Sequence, residues 1–192
     1  MTLVQTNMIP DGIAAAPGLA FESDPSTGFF KKAGGQIGIT ASGTEVGVIG
    51  ANGLAGGVQC AEVTFTEDGG GTYTGTVEVP AGATLVDIVV HATALWTAGT
   101  SATMDVGDDD PNGYFASVNL KATDLLAGES LSFANAGGKA GAKIANSHVI
   151  DRYSASARDI TGVIVSSGAG TAGRTRMTVY WSIPTAVAAV KS

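Results

Sequence analysis

Three consecutive aspartates, Asp108-Asp109-Asp110, followed by Pro111-Asn112-Gly113, form the densest carboxylate cluster in the chain. A hard cation such as calcium needs several oxygens converging from one loop, and three carboxylates plus an asparagine supply suitable atoms. The spacing argues otherwise, because an EF-hand alternates its ligands and closes with a distal glutamate, whereas consecutive residues point in different directions. The run therefore reads as a solvated hairpin tip, with calcium the lesser alternative. Gly168-Ala169-Gly170-Thr171-Ala172-Gly173 matches G-x-G-x-x-G. A dinucleotide site requires that motif to open a helix whose N-terminus meets the pyrophosphate. Here Arg174 to Trp181 alternates with period two, so the glycines predict a hairpin loop. His91 and His148 are the only imidazoles, and no G-x-S-x-G elbow accompanies them. Cys60 has no neighbouring histidine and reads as a small buried side chain. Glu62, Glu67, Glu78 and Asp87 contain the carboxylates of a glycosidase pair, but nothing selects two of them. These residues predict no enzyme, no cofactor and no metal centre.

Composition points to assembly. Charged residues make up 14% of the 192, against roughly 25% in ordinary soluble proteins, so much of the surface is expected to be covered by protein. Acidic residues outnumber basic ones, 17 to 10, and the only close basic pairs are Lys31-Lys32 and Arg174/Arg176. Phosphate binding needs clustered cations, so nucleic acid is not an expected partner. A single cysteine excludes an intrachain disulfide framework and fits synthesis in a reducing cytosol. The first 17 residues lack the charged and apolar regions of a signal peptide. The longest apolar candidate, residues 83–96, is broken by Thr84, Asp87, His91 and Thr93, so no membrane span is expected.

The elements that would carry these residues fall into three parts: an N-terminal arm and anchoring segment (1–57), a β-sandwich (58–184) and a small-residue tail (185–192). Residues 1–16 read as an arm without stable local structure, and 50–57 as a flexible Gly-rich hinge. Beyond it the period is two. Strands are predicted at 60–67, 72–79, 85–96, 101–106, 114–120, 131–133, 148–154, 159–167 and 174–183. In 85–96 one parity, Val86, Ile88, Val90, Ala92, Ala94 and Trp96, is assigned to the core. The other, from Leu85 through His91 to Leu95, is assigned to a mixed surface. A short helix is expected at 121–127 and a loop at 135–145. Regularly spaced strands with almost no helix predict an all-β chain whose main domain is an antiparallel, jelly-roll-like sandwich.

The segment 15–49 is where function is expected to lie. Leu19, Phe21, Phe29, Phe30, Ile37 and Ile39 come in bursts too short and too Gly-interrupted to close a private core, so they are the candidate oligomer and anchoring interface. A hairpin is predicted, 36–40 with 44–49, joined through Ala41-Ser42-Gly43. Phe21, Phe29 and Phe30 are expected to be buried against other subunits.

Pro17, Leu19 and Phe21, followed by Ser23-Asp24-Pro25, Thr27-Gly28-Phe29-Phe30, Gly38-Ile39 and Ser42-Gly43-Thr44-Glu45-Val46, resemble a recurrent module of tailed-bacteriophage virion proteins. Lys31-Lys32 and Ser42 depart from it at turn positions. Val79–Thr84, the HATAL run and the GTAGRTR turn resemble, more loosely, a C-terminal sandwich of phage structural proteins. The resemblance implies an intertwined homotrimer that joins the virion after synthesis in the host cytoplasm. It implies contact with the major capsid protein or other virion proteins, as a capsid decoration (cement) protein or short head fibre. A tail-fibre or baseplate component is the alternative. So is a host-glycan-binding jelly roll, for which Tyr114, Phe115 and Tyr153 are the aromatic residues placed to stack on a sugar.

Overall fold

A computed structural model describes residues 9–50, 53–55, 57–145 and 152–183. One compact unit holds the chain up to Gly57, and the other is Val58–Ser182.

In the first unit, β1 (Gly12–Ile13) and β2 (Ala16–Pro17) form a two-residue ladder. A five-stranded antiparallel meander follows, in the order β3 (Leu19–Phe21), β4 (Asp24–Ala33), β5 (Gln36–Ala41), β6 (Thr44–Gly50) and β7 (Gly53–Ala55). The predicted hairpin is present as β5–β6. Ser42 and Gly43 both have positive φ, 49° and 77°, which suits the two-residue loop whose twist matches the strands. Two expectations are corrected. Part of the supposed arm is structured, because Asp11 O accepts the Lys31 N–H at 2.7 Å and Ala14 O accepts the Thr40 hydroxyl at 2.9 Å. The supposed hinge contains β7, whose Leu54 lies opposite Ile49.

The second unit is a jelly roll. Its strands are β8 (Val58–Thr66), β9 (Gly71–Val79), β10 (Thr84–Ala94), β11 (Ser101–Gly107), β12 (Phe115–Asn119), β13 (Ser130–Leu131), β14 (Arg158–Ser167) and β15 (Arg174–Ser182). They form two four-stranded sheets, β13-β10-β15-β8 and β12-β11-β14-β9. The pairing is nested: β8 with β15, β9 with β14, β10 with β13 and β11 with β12. That is one long antiparallel ribbon rolled up, and the β10–β15 and β11–β14 ladders seal the two sheets.

The core between the sheets is built from alternation, interrupted in β10 by register shifts between Leu85 and Asp87 and between Ala92 and Ala94. In β10, Ile88, Val90 and Ala92 are buried, and Trp96 just beyond the strand is buried too. Leu85, however, is inside and Val86 outside, because a register shift between Leu85 and Asp87 exchanges the faces at the start of the strand. Phe65 of β8 reaches across to Gly75 and Gly162, which are cross-strand partners in the opposite sheet. A Cβ at Gly75 would lie 2.9 Å from the Phe65 ring and one at Gly162 would lie 3.0 Å from it, so the two glycines make room for that ring.

Residues 121–127 do not form the predicted helix. Asp124 Oδ2 accepts the Asn119 N–H at 2.6 Å, Asn119 Oδ1 accepts the Lys121 N–H at 2.8 Å, and Ala122 has φ 69°. These local side-chain bonds hold turns instead. The helical residues are Gly137–Lys139, a 3₁₀ turn, and α1 (Ala142–Ala145), within the predicted loop. The expected strand 148–154 and the tail 185–192 fall largely or wholly outside the described residues; Tyr153 makes a single bridge to Thr84.

Candidate functional site

The meander's strand registers sort the six candidate interface residues. Leu19 lies opposite Phe29 and Phe29 opposite Ile39, while Ile37 lies opposite Ile49 and Ile49 opposite Leu54. Directly opposed residues share a face, so these six side chains form two apolar rows on one side of the sheet. Leu19 is 52% exposed, Phe29 42% and Ile37 49%, Ile49 and Leu54 are similarly open, and Ile39 is half-buried. Gly47 lies opposite Ile39, and a Cβ there would be in ordinary contact with the Leu54 and Ile39 Cδ1 atoms, at 3.4 and 3.7 Å.

Phe30 points to the other side. It is buried within its own chain against Gly38, where a Cβ would approach its ring to 2.3 Å, so it is not available to a neighbouring subunit. Phe21 sits past a register shift at the end of β3 and is exposed. Ile49 and Leu54 belong to the same rows. The hairpin register pointed to Ile49, but nothing marked Leu54 within its glycines.

The polar residues of the phage-like module lock turns. Asp24 accepts the Ser26 N–H at 3.1 Å, the Ser26 hydroxyl at 2.7 Å and the Thr27 hydroxyl at 2.5 Å. The bonds from Thr27 and then Ser26 hold its carboxyl below the usual carboxylate range. Thr27 Oγ1 in turn accepts the Ser42 N–H at 2.8 Å, and Ser26 O accepts the Gly43 N–H at 2.8 Å. The start of β4 is thereby tied to the β5–β6 turn. An ion pair of 2.5 Å between Lys32 and Glu45 spans the same strands.

The aspartate run lies in the connection between the paired strands β11 and β12, where the Asp109 side chain is 86% exposed and the Asp108 side chain is buried by its partners. Asp108 is paired with Lys143 at 2.5 Å and Arg158 at 3.5 Å, accepts the Tyr114 hydroxyl at 3.1 Å, and leaves Asp109 to pair with Lys143 as well. Lys143 holds the Asp109 carboxyl down to about 2. Burial lowers the Lys143 value, but its bonds to Asp108 and Asp109 win and leave it above the ordinary lysine range. Protein cations thus hold the Asp108 and Asp109 carboxylates, and no metal-binding group of three or more His, Cys, Asp or Glu occurs among the described residues.

Glu67, 2% exposed, is a buried carboxylate with a full set of donors. Its Oε2 accepts the Thr97 N–H and hydroxyl, both at 2.9 Å, and the N–H groups of Ala172 at 3.2 Å and Gly173 at 2.9 Å. Oε1 accepts the Ala98 N–H at 2.7 Å. Burial pushes its pKa up, yet these bonds outweigh burial and hold it at about 2. The G-x-G-x-x-G loop is therefore a hairpin loop whose N–H groups go to an internal carboxylate rather than a phosphate. A Cβ at Gly170 would lie 2.2 Å from Glu67 Oε1, which explains the glycine.

The other candidates scatter. Cys60 is exposed on edge strand β8, against expectation, because outward positions of that strand carry no cover. His91 Nδ1 is 2.7 Å from Ser130 Oγ, and His148 lies outside the described residues. Glu62 forms a surface ion pair with Arg176 at 3.6 Å, and Asp87 Oδ1 accepts the Ile88 and Phe133 N–H groups at 2.8 and 2.9 Å. Tyr114 and Phe115 are wholly buried, so of the three sugar-stacking candidates Tyr153 alone is exposed.

The described residues thus make an all-β chain with a jelly roll and an apolar sheet face, and none of their helices is long and apolar enough to cross a membrane. No protein-family model and no curated protein matches the chain. Among solved structures it is similar to a chain of the acidic stable capsid of Helicobacter pylori bacteriophage KHP30. That match has 17% identity and a TM-score of 0.46, covering 67% of this chain and 89% of the other. It is also similar to a chain of the capsid of Ralstonia phage GP4, with 22% identity, a TM-score of 0.43, and 69% and 88% coverage. A chain of the cyanophage Pam1 capsid asymmetric unit matches with 19% identity, a TM-score of 0.43, and 67% and 84% coverage.

Proposed function

We propose that the chain is a non-enzymatic structural component of a bacteriophage virion, acting as a trimeric capsid decoration protein or short head fibre. The observation that carries this reading is the uncovered apolar face of the N-terminal meander, Leu19, Phe29, Ile37, Ile49 and Leu54, within or beside the stretch that resembles the phage virion module. Covering side chains that are already about half-buried contributes about 1 kcal/mol each, or about 5 kcal/mol per chain. Association costs about 4–15 kcal/mol. Simple contact between three such faces is therefore marginal, and the reading calls for strands that intertwine or rest on other virion proteins. The jelly roll then stands as a self-sufficient body carried by the N-terminal anchor.

Two measurements test this. Light scattering on the purified protein is expected to give three times the 19.0 kDa chain mass or a multiple of that trimer mass. The protein is also expected to remain on heads purified from a tailless preparation. A monomer in solution and recovery only with tails would defeat the decoration reading.

A further inference from the structure

The two long edges of the jelly roll differ from its two short ones. β13 has two residues, and Asn135 Nδ2 donates to its Ser130 O at 3.0 Å. β12 is bent by Ser117, which has φ 51° and donates its N–H to Asp105 Oδ1 at 2.7 Å; beside it Phe115 bridges to Ala140 and Ser117 O accepts from Lys139 at 2.9 Å. Short length, a bulge and a covering segment are the devices by which natural sheets stop further strands from adding. Among the described residues, edge strands β8 and β9 are neither short nor bulged, and no strand covers them. Each has nine residues in unbroken register with its inner partner, contains no lysine or proline, and has no strand on its outer side among the described residues.

The two exposed edges are not equivalent toward a second copy. An antiparallel pair in full overlap sets the middle residue of a strand against itself. For β8 that residue is Glu62, so two like charges would meet, which is destabilising. For β9 it is Gly75, and the pairs become Thr74 with Thr76, Tyr73 with Val77, and Thr72 with Glu78. Hydroxyl pairs and an aromatic opposite a β-branched residue are favourable combinations, and no like charges oppose. We infer that β9 is a homotypic docking edge, at which two copies pair β9 to β9 across a two-fold axis and join their β12-β11-β14-β9 sheets into one eight-stranded sheet. This contact is separate from the N-terminal apolar face, so the two can act together and link N-terminal oligomers to one another.

The test uses the full chain carrying Phe29→Asp and Ile37→Asp, which removes the N-terminal contact, in sedimentation over a concentration series. The expected result is twice the chain mass, falling to one chain when Thr74→Lys and Thr76→Lys are added, since four ammonium groups would then meet across the axis. Thr103→Lys, on the same outward face but on inner strand β11, should leave the pair intact and controls for folding. In deuterium exchange, every second β9 amide should be protected in the pair and exchange at least tenfold faster in the lysine variant. A single-chain mass at every concentration, or pairing unaffected by Thr74→Lys and Thr76→Lys, overturns the inference. Failure of the N-terminal reading looks different: the wild type and the aspartate variant would sediment alike.

Discussion

The two units of this chain treat apolar surface in opposite ways. Among the described residues, only Phe30 and Val48 of the buried apolar side chains belong to the N-terminal unit. That unit exposes Ile9, Ile13, Leu19, Phe21, Phe29, Ile37, Val46, Ile49 and Leu54, whereas the exposed large apolar residues among those described in the much longer jelly roll are Val58, Val86, Leu126, Tyr153 and Val165. The jelly roll closes its own core by rolling a ribbon onto itself. The meander gets its register from polar turn locks at Asp24, Thr27 and Thr40 and leaves one face bare. Register in the N-terminal unit is thus set by hydrogen bonds, and most of its described large apolar residues stay exposed.

Substitutions should separate the two regimes. The largest effect is expected from Ile88→Ala, a wholly buried side chain between the sheets, which should lower unfolding free energy by about 2–5 kcal/mol in denaturant titration. Next comes Glu67→Gln, which places an amide among five donors and should cost about 2–3 kcal/mol at neutral pH. Because the folded pKa lies below the ordinary value of 4.5, the Glu67 contribution is present above that value and is lost as pH falls toward about 2. The gap between wild type and Glu67→Gln, followed by thermal unfolding, should therefore narrow over that window. Gly170→Ala drives a methyl group into Glu67 and the Ala98 N–H, with an expected cost of about 1–3 kcal/mol. Phe29→Ala, at a side chain 42% exposed and opposite Leu19 and Ile39, should cost the separated chain only about 1 kcal/mol. A large loss there would mean that Phe29 serves a core of its own chain, and the contrast between the units would disappear.

Much of this was legible in the sequence, for physical reasons that also explain the misses. Period-two alternation at Phe65, Val77, Met177 and Trp181 marked the strands and their inward faces, and the strand after Gly173 ruled out a dinucleotide loop. Alternation could not foresee the register shift at Val86, which depends on the partner strand. Nor could it reveal that Asp24, Asp108 and Glu67 are satisfied by donors distant in sequence or by neighbouring turns. The helix expected at 121–127 yielded to side-chain bonds from Asn119 and Asp124. Of the candidate interface, strand alternation separates Phe29 from Phe30, a distinction that composition alone blurred. Leu54 carried no signal because it stands alone among glycine, alanine and asparagine in residues 50–57.

The central claim is that the face bearing Leu19, Phe29 and Ile37 is covered by other copies of this chain. The most direct check is the mass of the full-length protein beside its Phe29→Asp, Ile37→Asp variant in light scattering, with circular dichroism to confirm that both are folded. Covered faces give a multiple of three chains for the wild type and loss of that threefold assembly in the variant. Equal masses for two folded proteins would contradict the account.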